Sequence, residues 1–149
     1  MNIIDKTAKI CDDVILGDNI KIGRNVYIDH RVIIRDNVTI GDDCVIDANC
    51  ILGEYQMDFY QTHDIGKHPL RIGNSSIIRS GTVIYGDTTI GNHFSTGHNV
   101  TIREKTLIGH HCSLGTLDDI QGHCTIGNYV RMHSNVHIGQ QSTIEAVSY

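Results

Sequence analysis

Residues 3–52 read IIDKTAKICDDVILGDNIKIGRNVYIDHRVIIRDNVTIGDDCVIDANCIL, and stepping by six from Ile4 meets Ile10, Leu16, Ile22, Ile28, Ile34, Ile40, Ile46 and Leu52 without a miss. A second ladder starts at Ile72. It passes Ile78, Ile84, Ile90, Thr96, Ile102, Ile108, Leu114, Ile120, Ile126, Met132, Ile138 and Ile144, and only Thr96 breaks it. Two residues before most rungs the chain is small or β-branched, as at Val26, Val32, Cys44, Cys50, Thr82, Thr88, Cys112 and Cys124. Residues two apart on a strand share a face, so each hexad buries one large and one smaller side chain. Gly or Asp follows many rungs, as at Gly17, Gly23, Asp29, Gly41, Gly73, Gly91 and Gly109, which predicts a corner there made by residues tolerant of turn angles. Neither the 3.6-residue helical period nor the long alternating strands of a sandwich yields a period of six. A coiled, all-β parallel β-helix does.

Composition agrees with a thin, repeated core. The 149 residues include no Trp, two Phe and one Pro against 15 Gly, so burial must come from Ile, Val and Leu. A formal charge of -5 gives no basic surface for nucleic acid or anionic membrane. No apolar run approaches a membrane span, and the opening MNIIDKTAKICDD lacks the apolar stretch of a signal peptide, so the expectation is a cytoplasmic chain. The cysteines at 11, 44, 50, 112 and 124 are odd in number and form no CxxC. They read as reduced thiols, four of them at the small inward position.

Between Leu52 and Ile72 the step is 20 instead of six. The domain is therefore one β-helix, coils 3–53 and 71–145, with an inserted loop at about 54–70, EYQMDFYQTHDIGKHPL. Aromatic residues concentrate in it, and a long loop leaving a rigid scaffold is expected to touch a ligand or a neighbouring subunit. The opposite expectation is a loop folded over its own coil as a plug.

The stretch IIRSGTVIYGDTTIGNHFSTGHNVTIREKTLIGHHCSLGT, followed by DIQGHCTIGNYVRMHSNVHIGQQSTIE, resembles the hexapeptide-repeat acyltransferases, in particular the sugar-nucleotide N-acetyltransferases. The resemblance covers about residues 10–145. It implies a left-handed β-helix of triangular section with three hexads to a coil; stacked at strand spacing, a little over seven coils would make a prism on the order of 35 Å long. It also implies a homotrimer, and transfer of an acetyl group from acetyl-CoA to an amino group of a nucleotide-linked sugar, with no metal. It further implies clefts between neighbouring prisms, an outer loop reaching across, and relatives that continue for further coils past the equivalent of Ile144.

Ten histidines stand out, most of them in the second ladder. With three hexads to a coil, His93 stacks with His111 and Tyr129, and His98 lies over Thr116 and Ser134. His98 follows Gly97 at a corner beside the polar rung Thr96, so its ring is expected to project outward among polar neighbours. A histidine base suits acyl transfer, because the acceptor ammonium must lose a proton before attacking the thioester. His98 in TGHNV is the first candidate and His133 in MHSNVH the second. Arg79, Tyr85, Asn99 and Arg103, on nearby coils, are candidates for pyrophosphate or sugar hydroxyls.

Two rivals share the fold. A hydratase resembling the γ-type carbonic anhydrases would need three histidines as metal ligands, and His98, His133 and His137 offer themselves. The four-residue spacing of the last two departs from the five-residue spacing of that family, and a one-residue shift on a strand re-aims a side chain. A non-catalytic β-helix scaffold is the other.

Overall fold

The computed structural model describes residues 1–147. The chain winds as a parallel β-helix with three faces. The first face is an eight-stranded sheet of Ile3–Ile4, Lys21–Ile22, Val38–Ile40, Leu70–Ile72, Thr88–Ile90, Leu107–Ile108, Thr125–Ile126 and Thr143–Ile144. The second has six strands, from Lys9–Ile10 to Ser113–Leu114, and Arg131 adds a bridge to Ser113. The third has seven, from Ile15–Leu16 to His137–Ile138. Every pairing is parallel and offset by one coil, Ile22 on Ile40 and Ile102 on Ile120 among them.

The rungs of both ladders point inward. Those from Ile22 to Ile126 are buried, whereas Ile4 is exposed and Ile10, Leu16, Met132, Ile138 and Ile144 are half-buried. The polar rung is explained by its neighbour. Thr96 is buried, and two residues before it, where other hexads carry a small side chain, Phe94 is wholly buried. The large and small positions are exchanged in this hexad, so the volume of the layer is kept. Cys44, Cys50, Cys112 and Cys124 are buried free thiols on the small position, while Cys11 is half-buried at a corner. Burial raises Cys44 and Cys112 and pushes the Cys50 thiol up to about 11.

The corners correct one expectation. Apart from Gly53, at φ 79°, the glycines that follow the rungs do not supply the left-handed angle. That angle falls two residues later, at Asn19, Asn25, Arg31, Asn37, Asp43 and Asn49, and again from Ser75 through Gly81 to Gln141 at every sixth residue. There the turned backbone N–H reaches the previous coil, as Asn99 N–H donates to the Ser80 carbonyl at 2.9 Å and His111 N–H to the Asn92 carbonyl at 2.9 Å. The glycines serve close approach instead. A Cβ on Gly73 would lie 2.5 Å from the Gly91 carbonyl carbon and from Asn92 Oδ1. That oxygen belongs to a ladder of side-chain acceptors along the corner between first and second faces. Asp42 N–H donates to Asn74, Asn74 to Asn92, Asn92 to His110 Nδ1, and His110 to Asn128, at 2.7–2.9 Å.

The insertion leaves the third face after Glu54 and re-enters at Leu70, carrying a short helix α1 (Met57–Thr62) that the six-residue pattern did not foresee. No helix among the described residues is long and apolar enough to cross a membrane.

Candidate functional site

The candidate residues divide between two edges of the prism. The edge between second and third faces is built by residues 11–14, 29–32, 47–50, 79–82, 97–100, 115–118 and 133–136. It carries His98, Asn99, Arg79 and His133. His98 is half-buried; its Nδ1 lies 2.8 Å from Ser80 Oγ and its backbone N–H donates to Thr116 Oγ1 at 3.1 Å. The polar surroundings expected of it are therefore present. Asn99 takes the left-handed corner at φ 55°. Arg79 Nε is held by Asp47 Oδ2 at 2.9 Å, and its backbone N–H donates to Thr96 Oγ1 at 3.0 Å. His133 is exposed and its ring makes no hydrogen bond among the described residues.

Tyr85 and Arg103 sit at the next edge, between third and first faces. The Arg103 guanidinium lies 5.5 Å from the Tyr85 ring centroid, and its Nε meets Glu104 Oε1 at 3.1 Å. Partial burial raises the Tyr85 phenol. One chain thus does not bring these two to His98.

That same edge holds the root of the insertion. His68 Nδ1 and Gln56 Nε2 both meet Asp87 Oδ2, at 2.6 and 2.7 Å. Arg35 pairs with Glu54 at 3.4 Å and lies 4.1 Å over the Tyr55 ring, which stacks on Phe59 at 4.1 Å. The space enclosed by Arg35, Tyr55 and His68 is about 10 Å³, room for roughly one water. The root behaves as the plug, whereas Met57, Tyr60 and Ile65 at its outer surface are exposed. The plug expectation therefore holds for the root, and the outer surface is left open to a ligand or a neighbouring subunit.

Sequence reasoning missed two contributors. Ser80, one coil before His98, orients its ring. Asp118 is wholly buried on a small inward position, its carboxylate accepting from Gly115 N–H at 2.6 Å and Val136 N–H at 2.8 Å. It clamps the corner under His98, whose carbonyl accepts from Leu117 N–H at 2.9 Å. The one-coil offset pointed to Ser80; a carboxylate at a core position gave no signal of its role.

The remaining edge carries the anticipated stack. His93 and His111 are parallel at 4.6 Å, and His111 and Tyr129 at 5.0 Å. Between this stack and the His98 edge the second face shows Ser95, Ser113 and Arg131 to the outside. On the third face His137 faces outward and lies 3.5 Å from Asp119. Within the chain His98, His133 and His137 do not gather as a ligand set; among the described residues Cys11, Asp29 and His30 do.

Residues 19–54 match the family model described as bacterial transferase hexapeptide (six repeats). No curated protein matches the chain. Among solved structures the chain is similar to a UDP-N-acetylglucosamine O-acyltransferase (LpxA) from Moraxella catarrhalis, 27% identical over 97% of this chain and 60% of that one, TM-score 0.58. It is similar in fold to AntD, an N-acyltransferase from Bacillus cereus solved with dTDP and 3-hydroxybutyryl-CoA, at 18% identity, covering 93% of this chain and 78% of that one, TM-score 0.68. PerB from Caulobacter crescentus, solved with CoA and GDP-perosamine, gives 21% identity, coverage of 93% and 54%, and TM-score 0.59. The chain thus spans less than two thirds of the Moraxella enzyme's length. By its repeat and its coiled fold, the chain is similar to the bacterial hexapeptide transferases, whose family model it matches over residues 19–54, and to the Moraxella O-acyltransferase over nearly this chain's whole length.

Proposed function

We propose that the chain is an acyltransferase that moves an acetyl group from acetyl-CoA to the amino group of a nucleotide-linked sugar, working as a cytoplasmic homotrimer. The observation that carries the reading is His98 at an open corner with Nδ1 fixed by Ser80. When Nδ1–H donates to Ser80 Oγ, the Nε2 lone pair is left for the substrate. His98 then takes a proton from the acceptor amine as nitrogen attacks the thioester carbonyl. The C–N bond forms, the tetrahedral intermediate collapses with loss of the C–S bond, and the imidazolium returns its proton to the departing thiolate. Backbone N–H groups of the glycine-rich corner are suited to hold the oxyanion. Asn99 and Arg79 would bind sugar or pyrophosphate oxygens, and His133 is the alternative base.

A trimer gives Tyr85 and Arg103 a part in this site. The third face lies between the two edges and carries Ile15, Ile33, Ile51 and Val83 outward in one in-register stripe. Packing that stripe on a neighbour would set one chain's His98 edge against the other's Tyr85, Arg103 and loop. The likeness to acyltransferases solved with CoA or acyl-CoA supports the donor.

CoA release is to be measured with acetyl-CoA and a panel of UDP-, dTDP- and GDP-linked amino sugars. His98→Ala should lower turnover by roughly 10²–10⁴-fold, the usual worth of a positioned base, with acetyl-CoA affinity and thermal midpoint unchanged. The acid limb of the pH profile should vanish with it. Retention of more than about a third of turnover removes His98 from this role, and no activity with any acceptor removes the reading.

A further inference from the structure

We propose that Cys11, Asp29 and His30 form a binding site for a divalent transition metal of zinc's kind. The three ligand atoms make a nearly equilateral triangle. Cys11 Sγ lies 4.0 Å from Asp29 Oδ1 and 3.9 Å from His30 Nε2, and those two are 4.0 Å apart. The centre of a triangle with edges of about 4 Å is about 2.3 Å from each corner, the length of a zinc–thiolate bond and a few tenths of an ångström longer than zinc to nitrogen or oxygen. Slight closure of the exposed His30 ring makes up that difference.

The surroundings suit a ligand set. Asp13 Oδ1 lies 3.2 Å from His30 Nδ1, so the carboxylate fixes the ring with Nε2 toward the triangle, as carboxylates do behind ligating histidines. Asp29 Oδ1 already accepts from the Tyr27 hydroxyl at 3.3 Å and the His30 backbone N–H at 2.8 Å, which holds it in place. Cys11 is the one cysteine of the described chain outside the core, and a surface depression lined by Cys11, Asp12, Asp13 and His30 gives access. One thiolate, one imidazole and one carboxylate select a borderline ion over calcium or magnesium and leave a fourth position for water. Binding breaks the Cys11 S–H bond, forms a metal–sulfur bond and releases the proton to solvent. Because Cys11 and Asp29 occupy the same corner in successive turns, the ion would join the first coil to the second, where Ile10 and Leu16 are only half-buried.

The full chain, stripped with a chelator, is to be titrated with zinc and separately with cobalt(II). The expected result is one zinc per chain, a cobalt–thiolate charge-transfer band, and a thermal midpoint raised by zinc. Cys11→Ser, or alkylation of Cys11 in the folded parent, should abolish the band and the thermal shift. His30→Ala should abolish the thermal shift, and Cys112→Ser, if folded, should change neither. Asp13→Asn, a change in a positioning residue, should keep the band and weaken affinity about 10- to 100-fold. No band in the folded parent overturns the site, as does a band that survives loss of Cys11; zinc bound equally well without Cys11 and His30 assigns it to other histidines and overturns the site too.

Discussion

Gly73→Ala and Gly139→Ala are the same change at equivalent repeat positions, both outside the left-handed region, and should have opposite effects on stability. At Gly73 the new Cβ would stand 2.5 Å from the carbonyl carbon and oxygen of Gly91 and from Asn92 Oδ1, so backbone must move and the Asn74 N–H to Asn92 hydrogen bond of 2.9 Å is strained. Overpacking of this kind costs about 1–3 kcal/mol, and an obstacle made of backbone belongs at the upper end. At Gly139 nothing lies within 4 Å. There alanine should stabilise by about 0.4–1 kcal/mol, because the unfolded chain loses freedom. The difference, about 3 kcal/mol, corresponds to roughly 10 °C in thermal midpoint for a chain of this length. Calorimetry of the two variants beside the parent measures it. Midpoints within about 2 °C of each other would refute close approach as the reason for these glycines and return them to a turn-angle role.

Phe94→Val should cost about 2–4 kcal/mol through a cavity and Thr96→Ile about 1–3 kcal/mol through crowding, yet the double variant should cost clearly less than the sum in urea unfolding; strict additivity would sever the exchange of volumes inferred for this hexad. Burial raises the Cys50 thiol from about 9 to about 11 in the folded chain, so its contribution to stability is complete below pH 9 and lost as pH climbs through 11. The denaturation midpoint should fall across that window, less so in Cys50→Val, and iodoacetamide near neutral pH should label Cys11 alone; a second label on the folded chain contradicts the burial. Replacing residues 55–68 by a glycine-serine connector should leave the coil signature in circular dichroism intact while weakening acceptor binding, and unchanged affinity would confine the loop to plugging its own coil.

The ladder was legible because each turn repeats one physical demand, a large side chain inward at the same angular position. Every rung from Ile22 to Ile126 except Thr96 met it, and the stack of His93, His111 and Tyr129 followed from the one-coil offset alone. What the period concealed is what differs among turns. The left-handed corners are occupied by Arg31, Lys105, Leu117 and Tyr129 as well as asparagine, so residue type did not mark them, whereas the conspicuous glycines pointed to the wrong position. The candidate site suffered similarly: His98, Tyr85 and Arg103 are close in coil number, but a single hexad carries the chain on to another edge. Asp118 falls on an inward position of the period and Ser80 one coil before His98, but only their backbone and ring partners reveal what they do there.

The constant register governs how such a chain finds its structure. Before the insertion each strand closes on the one three hexads earlier, Thr39 on Lys21 for example, and across it Arg71 closes on Thr39 over a loop not quite twice as long. Loop-closure entropy makes the longer step costlier by only about 0.5 kcal/mol. Growth by successive addition of neighbouring turns can therefore begin on either side of the insertion and cross it with little delay, as in other quasi-one-dimensional repeats. The residues between Glu54 and Leu70 are consequently free to lengthen, shorten or change composition over evolutionary time without slowing assembly of the rod that carries them.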